Sequence, residues 1–219
     1  MHFLAIDLGT TSLKGAILDL EHQQLRHVTR VAMPDKLPNP EPLMHELDPQ
    51  MVLDLMRQFI ADLRTHAPNA QGLVMCAQMH GMLLLGPDHT PRTPIITWQD
   101  QRTRLPHPSG QGSCLEWAQD RLTQEHRQQL GNEARPGIPN VTLPWFDVDS
   151  VQDSLVASLP DYLLSQLSGN PPVIDQSLAA AYGLLDLRNS QWHDAVIDSL
   201  GLTHLRFPQQ HDALPYRGG

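Results

Sequence analysis

The chain has only two cysteines among its 219 residues, Cys76 and Cys114. Two cysteines are too few for a disulfide framework, and such sparing use is typical of a reducing compartment. Cys76 lies inside an apolar, strand-like run, and Cys114 stands at the start of a helix-like segment. We therefore expect both thiols to be buried and chemically inert.

Long apolar runs and clusters of basic residues are absent as well. No stretch approaches the roughly 18 apolar residues of a membrane span, and Asp7 interrupts an N-terminal apolar run that no basic segment precedes. The formal net charge of -9 argues against a nucleic-acid partner. None of the 12 histidines stands four residues from another or beside a cysteine cluster at zinc spacing. We expect a cytoplasmic protein with no membrane and no nucleic-acid partner.

The spacing of the apolar residues predicts an α/β domain. Asp48 and Pro49 are the predicted N-cap and first residue of a helix that ends near His66, because residues 52–63 repeat apolar side chains at helical spacing. The continuous apolar run at 73–76 is typical of a strand buried on both faces. The other predicted elements are strands at residues 3–6, 13–19, 25–31, 82–85 and 95–98, and helices at 113–130, 150–167 with a break near Pro160, 177–181 and 192–200.

A glycine turn rich in hydroxyl groups follows the first predicted strand. Asp7 ends the apolar run, and residues 9–12 (GTTS) precede the next alternating stretch. Glycine allows the backbone to approach a ligand closely. Backbone N–H groups and Thr hydroxyls suit phosphate oxygens, and the carboxylate suits a magnesium shell. An ordinary Gly-Thr hairpin turn is the alternative, because short motifs match by chance.

Two further polar groups follow later predicted strands. Residues 78–81 (QMHG) place an amide and a histidine at the carboxyl end of a strand, where open α/β sheets bind ligands. Residues 97–102 (TWQDQR) combine an indole, which can stack on sugar C–H groups, with amide, carboxylate and guanidinium groups that can bind hydroxyls. The alternatives are a histidine that is buried in the core with its ring hydrogen-bonded there, and a loop that carries a structural Asp–Arg pair.

These motifs, in this order and at these separations, resemble those of the N-terminal domain of FGGY carbohydrate kinases. The resemblance covers nearly the whole chain, residues 1–219. Within the family, the WQD triplet and the DQSLA stretch are most like the sedoheptulokinase group, and next the xylulokinase group. Similar family patterns recur later in the chain, at residues 161–163 (DYL), 167–169 (LSG), 175–179 (DQSLA), 183–186 (GLLD) and Trp192.

The resemblance implies a ribonuclease-H-like fold of the actin-like ATPase superfamily, with a mixed sheet and flanking helices. It also implies transfer of the γ-phosphoryl group of ATP to a hydroxyl of a ketose such as sedoheptulose or xylulose. Mg²⁺ would be the metal cofactor, and Asp7 would organise its shell. The residues facing the ATP phosphates would be Gly9, Thr10, Thr11, Ser12 and Lys14. The substrate-binding residues would be Gln78, Met79, His80, Trp98, Asp100 and Arg102.

The sequence departs from the family pattern in two respects. Family kinases use an aspartate directly after a glycine as the general base, yet none of the 14 glycines here precedes an aspartate. We therefore expect this chain to lack the catalytic base, and also the second, ATP-binding lobe, because the sequence stops at residue 219 before a second phosphate motif. In the family, a helix follows the segment that corresponds to residues 136–139 (PGIP). Here residues 142–145 (TLPW) stand in place of that helix and are shorter.

Three hypotheses are consistent with these patterns. The first is a sugar kinase whose second lobe lies outside this chain, so that the chain alone is inactive and its partners are a small-molecule sugar and the missing lobe. The second is a non-catalytic sugar-binding or regulatory remnant. The third is a chaperone-like or actin-like ATPase, against which His80 and Trp98 argue because such proteins have no sugar pocket. A homodimer is compatible with all three.

Overall fold

The computed structural model describes residues 1–107, 110, 112–131 and 134–211. The chain end, including residues 217–219, lies outside the described residues. The strands are β1 (His2–Leu8), β2 (Ser12–Asp19), β3 (Gln24–Ala32), β4 (Glu46–Leu47), β5 (Leu73–Ala77), β6 (Met82–Leu85), β7 (Ile95–Ile96), β8 (Leu155–Ser158), β9 (Val173–Asp175), β10 (Leu185–Asp186), β11 (Gln191–Trp192) and β12 (Gln209–His211). The helices are α1 (Pro49–His66), α2 (Cys114–Arg121), α3 (Gln124–Gln129), α4 (Pro139–Thr142), α5 (Val148–Val151), α6 (Leu159–Ser168), α7 (Gln176–Ala181) and α8 (Asp194–Ser199).

A first compact unit comprises residues 1–35 and 48–78 and contains a mixed sheet in the order β3-β2-β1-β5. β1 is antiparallel to β2 and parallel to β5. The helix α1 begins after Asp48, whose side chain accepts hydrogen bonds from two N–H groups of the first turn. A Cβ atom on Gly15 would fall 2.5 Å from the Phe59 ring, so the glycine lets α1 approach β2 closely. The predicted hairpin, third strand and helix are therefore confirmed.

A second compact unit comprises residues 36–47 and 79–219. Its largest sheet has the order β4-β7-β6-β8, and every neighbouring pair in that sheet is antiparallel. All four residues of β6 and of β8 are buried. Two smaller pairs, β10–β11 and β9–β12, complete the sheets of the described part of this unit. The short helices pack around one hydrophobic cluster that includes Met82, Val156 and Tyr182.

The structure corrects two predicted helices. Residues 150–167 are not one broken helix, because the apolar residues of β8 pair with β6 and only α6 follows as a longer helix. Ser158 caps α6, and Pro160 lies in its first turn. Residues 113–130 form α2 and α3, because Thr123 begins a new helix by accepting a hydrogen bond from His126 N–H. The shorter helices at 177–181 and 192–200 are found close to their predicted positions, as α7 and α8.

The strand at residues 73–76 is present as β5, but it is not buried on both faces. Its residues alternate between half-buried and exposed, and Val74 is 44% exposed. Cys76 shares this exposed face, so the prediction of a buried thiol is wrong for Cys76 and confirmed for Cys114. Over the ranges that the structure describes, no helix is long and apolar enough to span a membrane.

Candidate functional site

The turn between β1 and β2 carries the predicted phosphate motif in the first unit. The Gly9 N–H donates to the Ser12 carbonyl oxygen over 3.2 Å, at the start of β2. A Cβ atom on Gly9 would lie 2.9 Å from that same oxygen, so a glycine is needed to close the turn this tightly. The Thr11 carbonyl accepts a bond of 3.0 Å from Met33 N–H, which fixes the turn beside the end of β3.

Asp7 and Lys14 are paired residues on β1 and β2, and their side chains form an ion pair. The Lys14 Nζ lies 2.9 Å from the Asp7 Oδ2, and the side chains are 55% and 43% exposed, respectively. An exposed pair of this kind contributes little to folding, so both charges can be used by a ligand. The Cys76 Sγ lies 3.6 Å from the Asp7 Oδ1. Local desolvation and then the Asp7 charge raise the pKa of Cys76, which keeps it a neutral thiol.

Gln78 lies in the first unit with the phosphate turn. Its Oε1 accepts a hydrogen bond of 3.1 Å from the Thr10 hydroxyl, and its Nε2 lies 3.5 Å from the Gly9 carbonyl oxygen. Its backbone N–H donates to the Leu8 carbonyl over 2.8 Å. These contacts favour a role for Gln78 in holding the turn. The family resemblance, in contrast, predicted that Gln78 binds the sugar. Its contact with a sugar stays a prediction.

The residues of this turn fit a phosphate chain that carries Mg²⁺. Mg²⁺ prefers oxygen ligands and is commonly bound through one or two carboxylates together with substrate phosphates. Asp7 offers one half-exposed carboxylate, and no three His, Cys, Asp or Glu side chains of the described residues gather as a separate metal centre. Asp7 would hold the metal, and Thr10, Thr11 and Lys14 would lie beside the phosphates.

Met79 and His80 begin the longer segment of the second unit, two residues after the end of β5. Met79 is 48% exposed. His80 has a φ of 67°, a left-handed conformation that is costly for a residue with a side chain and that occurs preferentially at functional sites. Its Nδ1 lies 2.7 Å from the Ala181 carbonyl oxygen at the end of α7. Because a carbonyl can only accept, Nδ1 carries the proton, and the Nε2 of the neutral ring can accept a hydrogen bond from a hydroxyl.

Trp98 follows β7 in the second unit and is 44% exposed. Gly137, which precedes α4, has a φ of 83°, and a Cβ atom on it would lie 2.1 Å from the Trp98 carbonyl oxygen. The loop before α4 therefore packs against the Trp98 backbone, and only glycine permits this contact. The PGIP stretch was the sequence signal for this loop, but the sequence did not show that it supports the tryptophan.

Asp100 and Arg102, in the loop at residues 97–102 that follows β7, are almost completely buried, at 1% and 3% exposure. The guanidinium binds both carboxylate oxygens of Asp100 over 2.8 Å, and it also donates to Glu46 over 2.7 Å. Burial alone would lower the pKa of Arg102, but the hydrogen bonds and charges of Asp100 and Glu46 raise it. Both side chains thus have internal partners that position the loop, and their direct contact with a sugar stays a prediction.

His45 is a neighbour of this loop that sequence reasoning missed. Its Nδ1 lies 2.8 Å from the Thr97 Oγ1, and its backbone N–H donates to Asp100 over 2.7 Å. Partial burial, followed by the nearby charge of Lys36, lowers the pKa of His45. No motif marked His45, because it lies far from residue 97 in the sequence and reaches it only through the pairing of β4 with β7.

Comparison with known proteins identifies the relatives of this chain. Residues 2–214 match the family described as the FGGY family of carbohydrate kinases, N-terminal domain. The xylulose kinase of Lactococcus lactis subsp. lactis (strain IL1403) is 27% identical over 216 residues, which are 95% of this chain and 41% of that protein. The gluconokinase of Bacillus subtilis (strain 168) is 24% identical over 208 residues, 92% of this chain and 38% of that protein. The chain thus spans about two fifths of the length of these relatives.

A solved structure supports the predicted fold class. The gluconate kinase from Lactobacillus acidophilus superposes with a TM-score of 0.81 at 23% identity, covering 96% of this chain and 42% of that one. At this identity the likeness establishes the fold alone. The predicted α/β, ribonuclease-H-like architecture is confirmed, and the family match sets aside the chaperone-like and actin-like hypothesis.

Proposed function

Because the chain belongs to the FGGY family of carbohydrate kinases as its N-terminal domain, we propose that it provides the first phosphate motif and sugar-binding side chains of an ATP-dependent sugar kinase. The observation that carries this proposal is the Asp7–Lys14 pair beside a tight glycine turn. The oriented ring of His80 supports the sugar-binding part. Phosphoryl transfer requires alignment and charge neutralisation more than covalent help from the protein.

Each of these residues has a specific part in the proposed reaction. Asp7 would hold Mg²⁺, which would supply charge neutralisation at the phosphates when bound. Lys14 and the Thr10 and Thr11 hydroxyls bind phosphate oxygens. The His80 Nε2 accepts a hydrogen bond from a sugar hydroxyl, and the exposed indole of Trp98 stacks on sugar C–H groups. No glycine here precedes an aspartate, so we assign no general base within this chain.

The substrate class is a sugar or sugar-derived acid in the cytoplasm. Relatives named xylulose kinase and gluconokinase support xylulose and gluconate as the first candidates. The motif resemblance adds sedoheptulose. Placement of hydroxyl-binding side chains within fractions of an ångström decides between such substrates. The second candidate function is sugar binding without catalysis, as in a remnant of such a kinase.

The test combines sugar binding by this chain with activity in a hybrid protein. In the hybrid, which we call the chimaera, this chain replaces the matched 41% of the Lactococcus lactis xylulose kinase. Calorimetry of the isolated chain with xylulose, gluconate and sedoheptulose should show binding to one of them. His80→Ala should weaken that binding about tenfold, because a hydroxyl loses its acceptor. His89→Ala, at another left-handed histidine of the second unit, is the matched control.

Each outcome has a defined meaning. Sugar binding by the chain and ADP release by the chimaera support the kinase proposal. Binding without activity in a folded chimaera supports the remnant. Turnover by the isolated chain would show that it holds a base that we have not assigned. Absence of sugar binding in both proteins would overturn the proposed function.

A further inference from the structure

A short segment before β4 runs beside residues 97–102, which we call the Trp98 loop. The pairing of β4 with β7 continues from this segment into the loop. The Thr97 N–H donates to the His45 carbonyl oxygen over 3.1 Å, and the Gln101 N–H donates to the Leu43 carbonyl oxygen over 2.7 Å. The loop is therefore attached to the segment on both sides of its tryptophan. All of these residues belong to the second unit.

His45 contacts the Trp98 loop through three of its own groups. Its backbone N–H donates to the Asp100 Oδ2 over 2.7 Å, and its carbonyl oxygen accepts the bond from Thr97. Its ring Nδ1 lies 2.8 Å from the Thr97 Oγ1. The first two contacts are formed by backbone atoms of His45, so most substitutions there retain them. The ring contact is the part that depends on the identity of the side chain.

The ring of His45 contacts a hydroxyl group that is buried. Thr97 is 2% exposed, and two further groups contact its Oγ1 at the longer distance of 3.3 Å, the Gln99 N–H and the His45 carbonyl oxygen. A buried hydroxyl that loses its closest partner is destabilised. Threonine is branched at Cβ, so its χ1 rotamer is restricted and a fixed hydroxyl also restrains its backbone. The imidazole of His45 therefore restrains the backbone directly before Trp98.

The Trp98 side chain differs from this buried frame, because the indole is 44% exposed whereas Thr97 and Asp100 are almost fully buried. A side chain in a mobile loop loses conformational freedom when it stacks on a ligand, and a loop that is ordered beforehand avoids that loss. We infer that His45 is a positioning residue of the sugar site, whose ring holds the Trp98 loop in the arrangement that accepts the sugar. This inference rests on the proposed function and requires no contact between His45 and the sugar.

The two ring nitrogens of histidine allow a test of position. An asparagine side chain places its amide close to the position of Nδ1, whereas a glutamine side chain places its amide one bond further out, close to the position of Nε2. His45→Asn therefore keeps a partner for the Thr97 hydroxyl, and His45→Gln and His45→Ala do not. His204→Ala is the matched control, since His204 is also half-buried in the second unit and its Nδ1 contacts the Gly201 carbonyl oxygen rather than the Trp98 loop.

The first measurement needs no ligand. The chain contains four tryptophans, and labelling with fluorotryptophan gives each of them its own line in a fluorine NMR spectrum. Trp98→Phe assigns the line of Trp98. In His45→Ala and His45→Gln this line should shift or broaden, because the loop then exchanges between arrangements, while the remaining lines stay in place. His45→Asn and His204→Ala should retain the wild-type Trp98 line.

The second measurement is the affinity for the sugar. Calorimetry uses whichever of xylulose, gluconate and sedoheptulose the wild-type chain binds. His45→Ala and His45→Gln should raise its Kd about fivefold, which is the effect of one neutral hydrogen bond, and His45→Asn should stay within about twofold of the wild type. In the chimaera, the same two variants should raise the sugar KM with little change in kcat, because the loop holds the bound sugar and the transition state alike.

Two results would overturn the role of His45. One is an unchanged Trp98 line together with an unchanged sugar affinity in His45→Ala. The other is a loss of affinity in every variant, His45→Asn included, while the Trp98 line stays in place, since the ring would then contact the sugar directly. Circular dichroism confirms that each variant is folded. If His45→Ala does not fold, the comparison of His45→Asn with His45→Gln provides the test.

The same data separate the role of His45 from the proposed function. A Trp98 line that moves in His45→Gln, in a chain that binds none of the three sugars, leaves the ordering of the loop standing while the proposed function fails. A sugar that all variants bind as tightly as the wild type leaves the proposed function standing and overturns the role of His45.

Discussion

Gln78 shows how one side chain can hold a tight turn from the neighbouring strand. Its amide binds Thr10 and approaches the Gly9 carbonyl, so it fixes the turn through the end of β5. Gln78→Leu in the chimaera should raise KM for ATP by about five- to tenfold, since a neutral hydrogen bond contributes about 1 kcal/mol. The measurement is steady-state kinetics with both substrates varied.

The control for this prediction is Gln71→Leu, because Gln71 is exposed and precedes β5. Hydrogen exchange at residues 9–12 gives a second readout, and it should become faster only in Gln78→Leu. A selective rise in the sugar KM would contradict the positioning role and restore Gln78 to the sugar-binding residues.

Asp7 is the residue whose loss should affect transfer most. Asp7→Ala in the chimaera should reduce kcat at least about 100-fold, because the metal loses its protein carboxylate. The affinity for the sugar, measured by calorimetry, should not change. Folding stability should change little, since the ion pair with Lys14 is exposed. Asp35→Ala, an exposed carboxylate of the same unit, is the control, and retained activity in Asp7→Ala would contradict the metal assignment.

At the scale of elements, the loop before α4 can contact the Trp98 backbone only if residue 137 has no side chain. Gly137→Ala should destabilise the second unit by about 2 kcal/mol or more, because the new Cβ meets the Trp98 carbonyl and the φ is positive. Gly169→Ala is the matched control, since its φ is 74° and a Cβ there would meet no atom within 4 Å. Gly169→Ala should lower the free energy of unfolding by about 1 kcal/mol, because only the positive φ opposes it. Urea unfolding followed by tryptophan fluorescence compares them, and equal losses would contradict the role assigned to the contact.

The elements also show what sequence patterns could and could not predict. Local signals sufficed for α1, where Asp48 caps a long periodic segment, and for the hairpin around Gly9. They failed at β8, because its four residues gain their strand conformation from pairing with β6, far away in the sequence. Dependence on distant parts of the sequence also explains why the candidate site was only partly predicted. The motif residues were identifiable, but the burial of Asp100 and Arg102 and the contacts of Gln78 depend on long-range packing.

At the scale of the whole molecule, each unit carries a different part of the proposed chemistry. The first unit contains the phosphate turn, and the second contains His80 and Trp98. The chain passes between the two units three times, after Asp35, after Leu47 and after Gln78. All four tryptophans lie in the second unit, so tryptophan fluorescence follows the unfolding of that unit.

Asp161 should make the stability of the second unit depend on pH. The carboxyl group is buried, with its Oδ2 2.5 Å from the Ser158 hydroxyl oxygen. Burial, and to a smaller extent the charge of Asp175, raise the pKa of Asp161 to about 7, against the opposing effect of the Ser158 hydrogen bond. The unfolded chain releases this proton near pH 4, so between about pH 4 and pH 7 the folded state binds the extra proton.

The contribution of Asp161 to stability is therefore fully present below about pH 4 and is lost as the pH rises through 7. The free energy of unfolding should fall by about 1 kcal/mol per pH unit in this window. Asp161→Asn keeps a group that can bond Ser158 but cannot ionise, so its urea midpoint, read by tryptophan fluorescence, should lack this component. Asp198→Asn, at an exposed position on α8, should keep the wild-type slope. An unchanged slope in Asp161→Asn would show that Asp161 is already ionised at acidic pH, and that its burial is compensated by its neighbours.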